Sequence, residues 1–214
     1  EITTRLVGSE MCIRDSLGID SSDVKMLLKK PDESIVKKVS NLLSDIDKSK
    51  PVVVIAPATT WDNKHWAEKN WIETISELKN IVNIVVTGTD SDMPLIKRLL
   101  EASECHNALV LAGKTNLEEL AEVFRQSDIV VSPDSGSAHI AWAVSKPDVI
   151  TVFTSTAEKR SGPFGEKCHV LAPALDCHPC LKKKCPRKNN KDLCKEDVKS
   201  SELINMIKNL LHLE

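Results

Sequence analysis

Pro51 is followed by Val-Val-Val-Ile-Ala, an unbroken apolar run with no polar alternation. A strand with one wet face alternates polar and apolar residues. A continuous β-branched run fits a strand buried on both faces, as in a parallel sheet covered by helices. The rest of the chain supplies the covering. Apolar residues at Ile35, Val36, Val39, Leu42, Leu43 and Ile46 have helical spacing and predict a helix over 31–47. After the strand, the pattern predicts a helix over 67–79, a strand over 83–87, a helix over 93–102 and a short strand over 108–111. It continues with a helix over 116–126, carrying Leu117, Leu120, Ala121 and Phe124 on one face, and a strand over 128–132. A helix over 138–144, strands over 149–153 and 168–171, and a closing helix over 198–213 complete the chain. Strands alternating with helices predict an α/β fold, a Rossmann-like doubly wound parallel sheet with right-handed crossovers. Ligands in such sheets sit at the carboxyl ends of the strands. The loops after Ala56, Thr87, Leu111, Ser132 and Phe153 are therefore where chemistry is expected.

The 214 residues are 41% hydrophobic and 28% charged, with a formal net charge of −2. A chain of that size can bury a core without disulfides. Its charge does not favour nucleic acid. No apolar run approaches a membrane span, and the first 16 residues show no secretory leader, so a cytoplasmic protein is expected. Leu6–Ser16 reads LVGSEMCIRDS and resembles a translated sequencing adaptor. Residues 1–16 are accordingly read as an adaptor-derived tail, and Cys12 is set aside. Residues 17–50 are read as a remnant of an interdomain connection with one helix, expected to attach loosely. Residues 51–214 are read as one Rossmann-like domain with a cysteine-rich loop over 177–194.

Two loops carry candidate chemistry. In APATTWDNKHW, Ala56–Trp66, the hydroxyls of Thr59 and Thr60 lie close in sequence to the Lys64 ammonium. Hydroxyls, backbone N–H groups and a lysine suit a diphosphate; a surface loop with a threonine cap is the competing account. The loop is no P-loop, since it lacks the glycines and the Lys-Ser/Thr pair. After the strand ending at Ser132 comes Pro133-Asp134-Ser135-Gly136-Ser137-Ala138-His139. A small Gly-Ser turn opens a helix there, presenting free N–H groups and the positive end of its dipole. Ser135, Gly136 and Ser137 suit phosphate oxygens, Asp134 a sugar hydroxyl, and His139, one turn into the helix, can reach the same space. Capping by Asp134 or Ser135, with His139 as packing, uses the same geometry. Asp90-Ser91-Asp92 has the D-x-D spacing of a metal motif, but before Pro94 it reads better as a helix start.

These segments resemble glycosyltransferase family 9. PDSGSAHIA is similar to its D-(S/T)-G-x-x-H signature. APATTWDNKHW is similar to the Thr-Thr…Lys-His-Trp loop of its lipopolysaccharide heptosyltransferases. VFTSTAEKRSGPFG, Val152–Gly165, is similar to its GPT…GP-aromatic-G segment, with Thr154 departing from the usual Gly. The resemblance covers Pro51 to the C-terminus. It implies a GT-B architecture of two facing Rossmann-like domains, of which this chain is the C-terminal half. It implies transfer of heptose from ADP-heptose to the lipopolysaccharide inner core with inversion and without a catalytic cofactor. By residue match, Thr59, Thr60 and Lys64 would contact the diphosphate, with Lys64 stabilising the leaving group. Asp134, Ser135, Gly136 and His139 would line the phosphate and sugar, and Gly88 and Thr115 would lie by the nucleotide. The catalytic base would come from the N-terminal domain, which this chain is expected to lack, leaving it inactive alone. Transfer from another nucleotide sugar is the alternative within the family.

Cys177-x2-Cys180-x4-Cys185-x8-Cys194 can hold a structural zinc, with His178 as a spare ligand. Reduced thiols packed in a loop are the alternative, and the sequence leaves both open. The surrounding Lys182, Lys183, Lys184, Arg187, Lys188 and Lys191 are expected to favour thiolates. They can also face an anionic lipid surface at the inner face of the inner membrane, as a peripheral association. A zinc-stabilised nucleic-acid-binding module is the alternative from another class, and 3% aromatic residues with no Tyr argue against it. A nicotinamide-dependent oxidoreductase is excluded by the missing G-x-G-x-x-G.

Overall fold

The structure, a computed structural model, describes residues 27–189 and 191–213. The adaptor-like tail and positions 17–26 lie outside the described residues. Strands β1 (Val52–Ile55), β2 (Asn83–Val86), β3 (Leu109–Val110), β4 (Ile129–Pro133), β5 (Asp148–Val152) and β6 (Cys168–Leu171) form one sheet in the order β3-β2-β1-β4-β5-β6. Every pairing is parallel. Around the sheet run α1 (Glu33–Leu42), α2 (Glu68–Leu78), α3 (Met93–Ala102), α4 (Leu117–Arg125), α5 (Gly136–Val144), the short α6 (Glu158–Ser161) and α7 (Cys194–Asp197), and α8 (Ser200–Leu210).

The strand side chains divide cleanly between two cores. Val53, Ile55, Val86, Ile129, Val131, Ile150 and Val152 pack with α2, α3 and α8. Val52, Val54, Val85, Val130 and Val149 pack with α1, α4 and α5. Because successive strand residues point to opposite faces, a one-residue slip would exchange these two sets. The all-apolar strands therefore tolerate helices on both sides. Helix α5 (GSAHIAWAV) buries Ala138 and Ala141 against the sheet, small residues that permit close approach. Helix α4 opens with a reciprocal cap: the Asn116 side chain accepts the Glu119 N–H at 2.9 Å, and Glu119 accepts the Asn116 N–H at 3.0 Å.

Residues 27–50, expected to attach loosely, are instead held against the sheet. Val39 is fully buried and Leu43 nearly so, and Lys38 pairs with Glu119 of α4 at 2.6 Å. The Leu28 N–H donates to the Ala143 carbonyl at 2.9 Å. The apolar stripe of α1 is what holds it: a helix with one greasy face is buried wherever the sheet offers a matching one. Helices α6 and α7, one turn each, are too short to show a period and were not expected.

Candidate functional site

The strand order reverses between β1 and β4, whose registers join Val53 to Ile129 and Ile55 to Val131. The two loops that leave their carboxyl ends diverge to opposite faces and open a crevice. One loop carries a 3-10 turn, Asp62–Lys64, and the other begins at Asp134. Across the crevice the Lys64 Nζ lies 2.8 Å from Asp134 Oδ2 and donates to the Asp134 carbonyl at 3.2 Å. It also sits 4.9 Å from the centre of the Trp61 ring. Asp134 is 5% exposed, and Ser161, at the end of α6, donates to its Oδ2 at 3.3 Å. A buried carboxylate without that cation would be strongly disfavoured.

Helix α5 begins at the same place. Its N-cap, Ser135, makes no side-chain cap bond; its hydroxyl is joined to the Ser132 hydroxyl at 2.8 Å instead. Among the described residues no side-chain cap thus occupies the first-turn N–H groups of α5. Gly136 is exposed, and a Cβ there would meet nothing within 4 Å, so the mouth is open at that point. Burial pushes the His139 imidazole below its ordinary value. The Asp134 carboxylate opposes this shift, Lys64 adds to it, and the Ser161 backbone opposes it. His139 is therefore neutral at neutral pH and available for hydrogen bonding without charge.

Of the residues singled out from sequence, Lys64, Asp134, Ser135, Gly136 and His139 come together at this crevice. Thr59 borders it on the side of a neighbouring cleft of about 500 Å³ shared with His65, Ser91 and Arg98, and Thr60 is exposed. Gly88 and Thr115 stand at the ends of β2 and β3, one and two strands away; the Gly113 N–H donates to the Gly88 carbonyl at 3.0 Å. Asp92 accepts from both the Thr89 N–H and its hydroxyl at 2.8 Å, the capping role expected for it. Ser161 and Asn63 were not singled out, and Thr154 only as a departure from the family pattern. Their parts depend on tertiary contact, and no local pattern marks them.

The four loop cysteines line one cavity of about 30 Å³, and all are free thiols. Burial, then the neighbouring Cys180, Cys185 and Cys177, pushes the Cys194 thiol up to about 11. This runs against the expectation that nearby cations favour thiolates, because Lys182, Lys183, Lys184, Arg187 and Lys188 are exposed to water. Among the described residues no group of three or more His, Cys, Asp or Glu is placed to hold a metal ion. His178 is no spare ligand either. Its Nδ1 meets the Thr154 carbonyl at 2.9 Å and its Nε2 meets Glu158 at 3.1 Å. The four cysteines named in the zinc reading, Cys177, Cys180, Cys185 and Cys194, thus meet around one small cavity as thiols.

A six-stranded parallel sheet wound on both sides, with a lysine and a helix N-terminus meeting at its switch point, defines a Rossmann-like α/β protein. Residues 11–191 match the model of glycosyltransferase family 9 (heptosyltransferase), and the chain belongs to that family. It is 25% identical over 167 residues to the lipooligosaccharide heptosyltransferase 2 of Campylobacter jejuni, covering 76% of this chain and 51% of that protein. It is 34% identical over 120 residues to the lipopolysaccharide heptosyltransferase 1 of Salmonella typhimurium, covering 55% of this chain and 37% of that protein. The structure of Escherichia coli ADP-heptose lipopolysaccharide heptosyltransferase II shares its fold, with a TM-score of 0.73 at 16% identity over 92% of this chain and 56% of that one. The chain spans about half the length, or less, of the curated relatives it matches.

Proposed function

We propose that this chain is the donor-binding part of a heptosyltransferase that moves heptose from ADP-heptose onto a lipopolysaccharide core with inversion. The observation that carries the reading is the Lys64–Asp134 pair, 2.8 Å apart, spanning the switch point beside the uncapped start of α5. In the reaction an acceptor hydroxyl attacks the anomeric carbon, the bond from that carbon to the diphosphate breaks, and the hydroxyl proton passes to a base. Negative charge grows on the departing ADP. A lysine has three N–H donors, and Lys64 directs two contacts at Asp134. The third suits a phosphate oxygen, and the α5 N–H groups suit another. Both act through preorganised charge and call for no metal or other catalytic cofactor.

Asp134 is assigned to donor-sugar hydroxyls, not to the base, because its Oδ2 is already engaged by Lys64 and Ser161. Thr59, Thr60, Ser135, Gly136 and His139 complete the phosphate and sugar contacts. Gly88 and Thr115, farther along the strand ends, suit the nucleoside. The partners are the nucleotide sugar and a lipopolysaccharide acceptor, with no nucleic acid. Among the described residues no helix is long and apolar enough to cross a membrane. A cytoplasmic location is proposed, with the exposed Lys182–Lys184 run turned toward the inner face of the inner membrane.

Calorimetric titration with ADP-heptose tests the reading on the wild-type chain, Lys64→Ala and Asp134→Ala. Binding that weakens in both variants supports it. A folded chain that takes ADP but discriminates against heptose in favour of another ADP-sugar would move the assignment to that sugar.

A further inference from the structure

The cysteine-rich loop, 177–194, touches the β1 loop of the crevice and, on the opposite wall, the β5 loop that leads into α6. On one side the Leu181 N–H donates to the Ser155 carbonyl at 2.8 Å, and His178 meets the Thr154 carbonyl at 2.9 Å. On the other side the Lys183 ammonium lies 5.2 Å from the centre of the Trp61 ring, and the hydrogen bonds run through Asn63. Its N–H donates to the Lys183 carbonyl at 3.2 Å and its Nδ2 to the Lys182 carbonyl at 3.0 Å. A weaker bond runs from Nδ2 to Cys180 Sγ at 3.7 Å. The Thr154 hydroxyl closes the circuit by donating to the Asn63 carbonyl at 2.7 Å. Asn63 and Thr154 are each 1% exposed.

Asn63 Oδ1 has no hydrogen-bond partner among the described residues, so the side chain is held there by its N–H groups. Asn63 immediately precedes Lys64 in the same 3-10 turn. A lysine stem has four rotatable bonds and no fixed direction of its own. Its aim therefore depends on how firmly the turn beneath it is anchored.

We propose that Asn63 is a positioning residue: clamped between the cysteine-rich loop and Thr154, it fixes the turn that aims Lys64 at the donor diphosphate. The cysteine-rich loop is then a brace joining the two walls of the crevice, and its packed thiols serve that brace. A buried polar group that keeps its partners holds one conformation strongly, because each alternative leaves donors unpaired.

The proposal rests on the reading of Lys64 as the diphosphate ligand, and the test separates the two. ADP and AMP are titrated by calorimetry into the full chain and into Lys64→Ala, Asn63→Ala, Thr154→Val and Asn63→Ala/Lys64→Ala, each checked for folding by thermal melting. If Lys64→Ala leaves ADP affinity unchanged, the diphosphate reading itself fails, and the positioning proposal with it. If Lys64→Ala weakens ADP, the other variants decide. Asn63→Ala is expected to lower ADP affinity about tenfold and to reduce the preference for ADP over AMP. Thr154→Val, nearly isosteric, is expected to act in the same direction by about threefold. The double variant is expected to bind ADP no more weakly than Lys64→Ala alone. Equal loss of ADP and AMP, full additivity with Lys64→Ala, or no loss at all would overturn the positioning role. Should Asn63→Ala not fold, Thr154→Val alone and combined with Lys64→Ala carries the same comparison.

Discussion

His139 is held neutral by burial at the start of α5, and this has a consequence for stability. Its native pKa is lowered below the ordinary value of 6.5, so the unfolded chain binds the proton more readily than the native one. Stability is complete above pH 6.5 and falls as pH drops from there toward the lowered native value, because only the unfolded state gains the proton. His139→Gln should flatten the change in urea midpoint between pH 7.5 and pH 5. An unchanged slope would mean that the acid sensitivity lies in other groups. The residue types at the crevice were legible in sequence because they cluster in two short loops, Thr59–Lys64 and Asp134–His139. Their pairing was not. Lys64 and Asp134 are separated by 70 positions, and no period or spacing in a single sequence reports that they touch. The same holds for Ser161 and Asn63, whose roles exist only through what packs against them.

At the scale of elements, the sheet was legible because strands buried on both faces have a composition that little else shares. The run Val52–Ile55 is buried at every position, as are β4 and nearly all of β5. Strand β3 is only Leu109–Val110, half-buried, and its edge position explains why the expected four residues shrank to two. Helix α1 was recognised as a helix but not as a covering element, since its amphipathic stripe says that a face is buried and not where. Its attachment can be measured. Val39→Ala removes two buried methyl groups where no exposure remains, and should cost about 2 kcal/mol in a urea titration. Val36→Ala, on the more exposed side, should stay within about 0.5 kcal/mol. Equal, small effects would mean that α1 frays independently of the sheet. At the other end of the contact, Asn116→Ala removes the α4 cap and should cost about 1 kcal/mol.

At the scale of the whole molecule, the candidate site lies where two halves of the sheet meet. One wall belongs to the β1 loop, the other to β4, α5 and α6, and the cysteine-rich loop ties the walls together through Asn63 and through His178, which meets Glu158 of α6. A ligand held by Lys64 on one wall and the α5 N–H groups on the other therefore cross-links both halves. It binds the native chain and not the unfolded one, since neither half alone presents both sets of groups. Ligand at about a hundred times its dissociation constant then adds about 2.7 kcal/mol to the unfolding free energy. For a chain of this length that raises the unfolding midpoint by roughly 5–10 °C. ADP should produce this rise in the wild-type chain, and a much smaller one in Lys64→Ala at the same free ADP concentration. The comparison needs no acceptor and no turnover, so it applies to a chain about half as long as its relatives. A rise of equal size in both proteins would place ADP elsewhere on the molecule, with the 500 Å³ cleft beside Thr59 the first place to look. A rise confined to the wild type would tie nucleotide binding to Lys64, the cation that reaches Asp134 across the switch point.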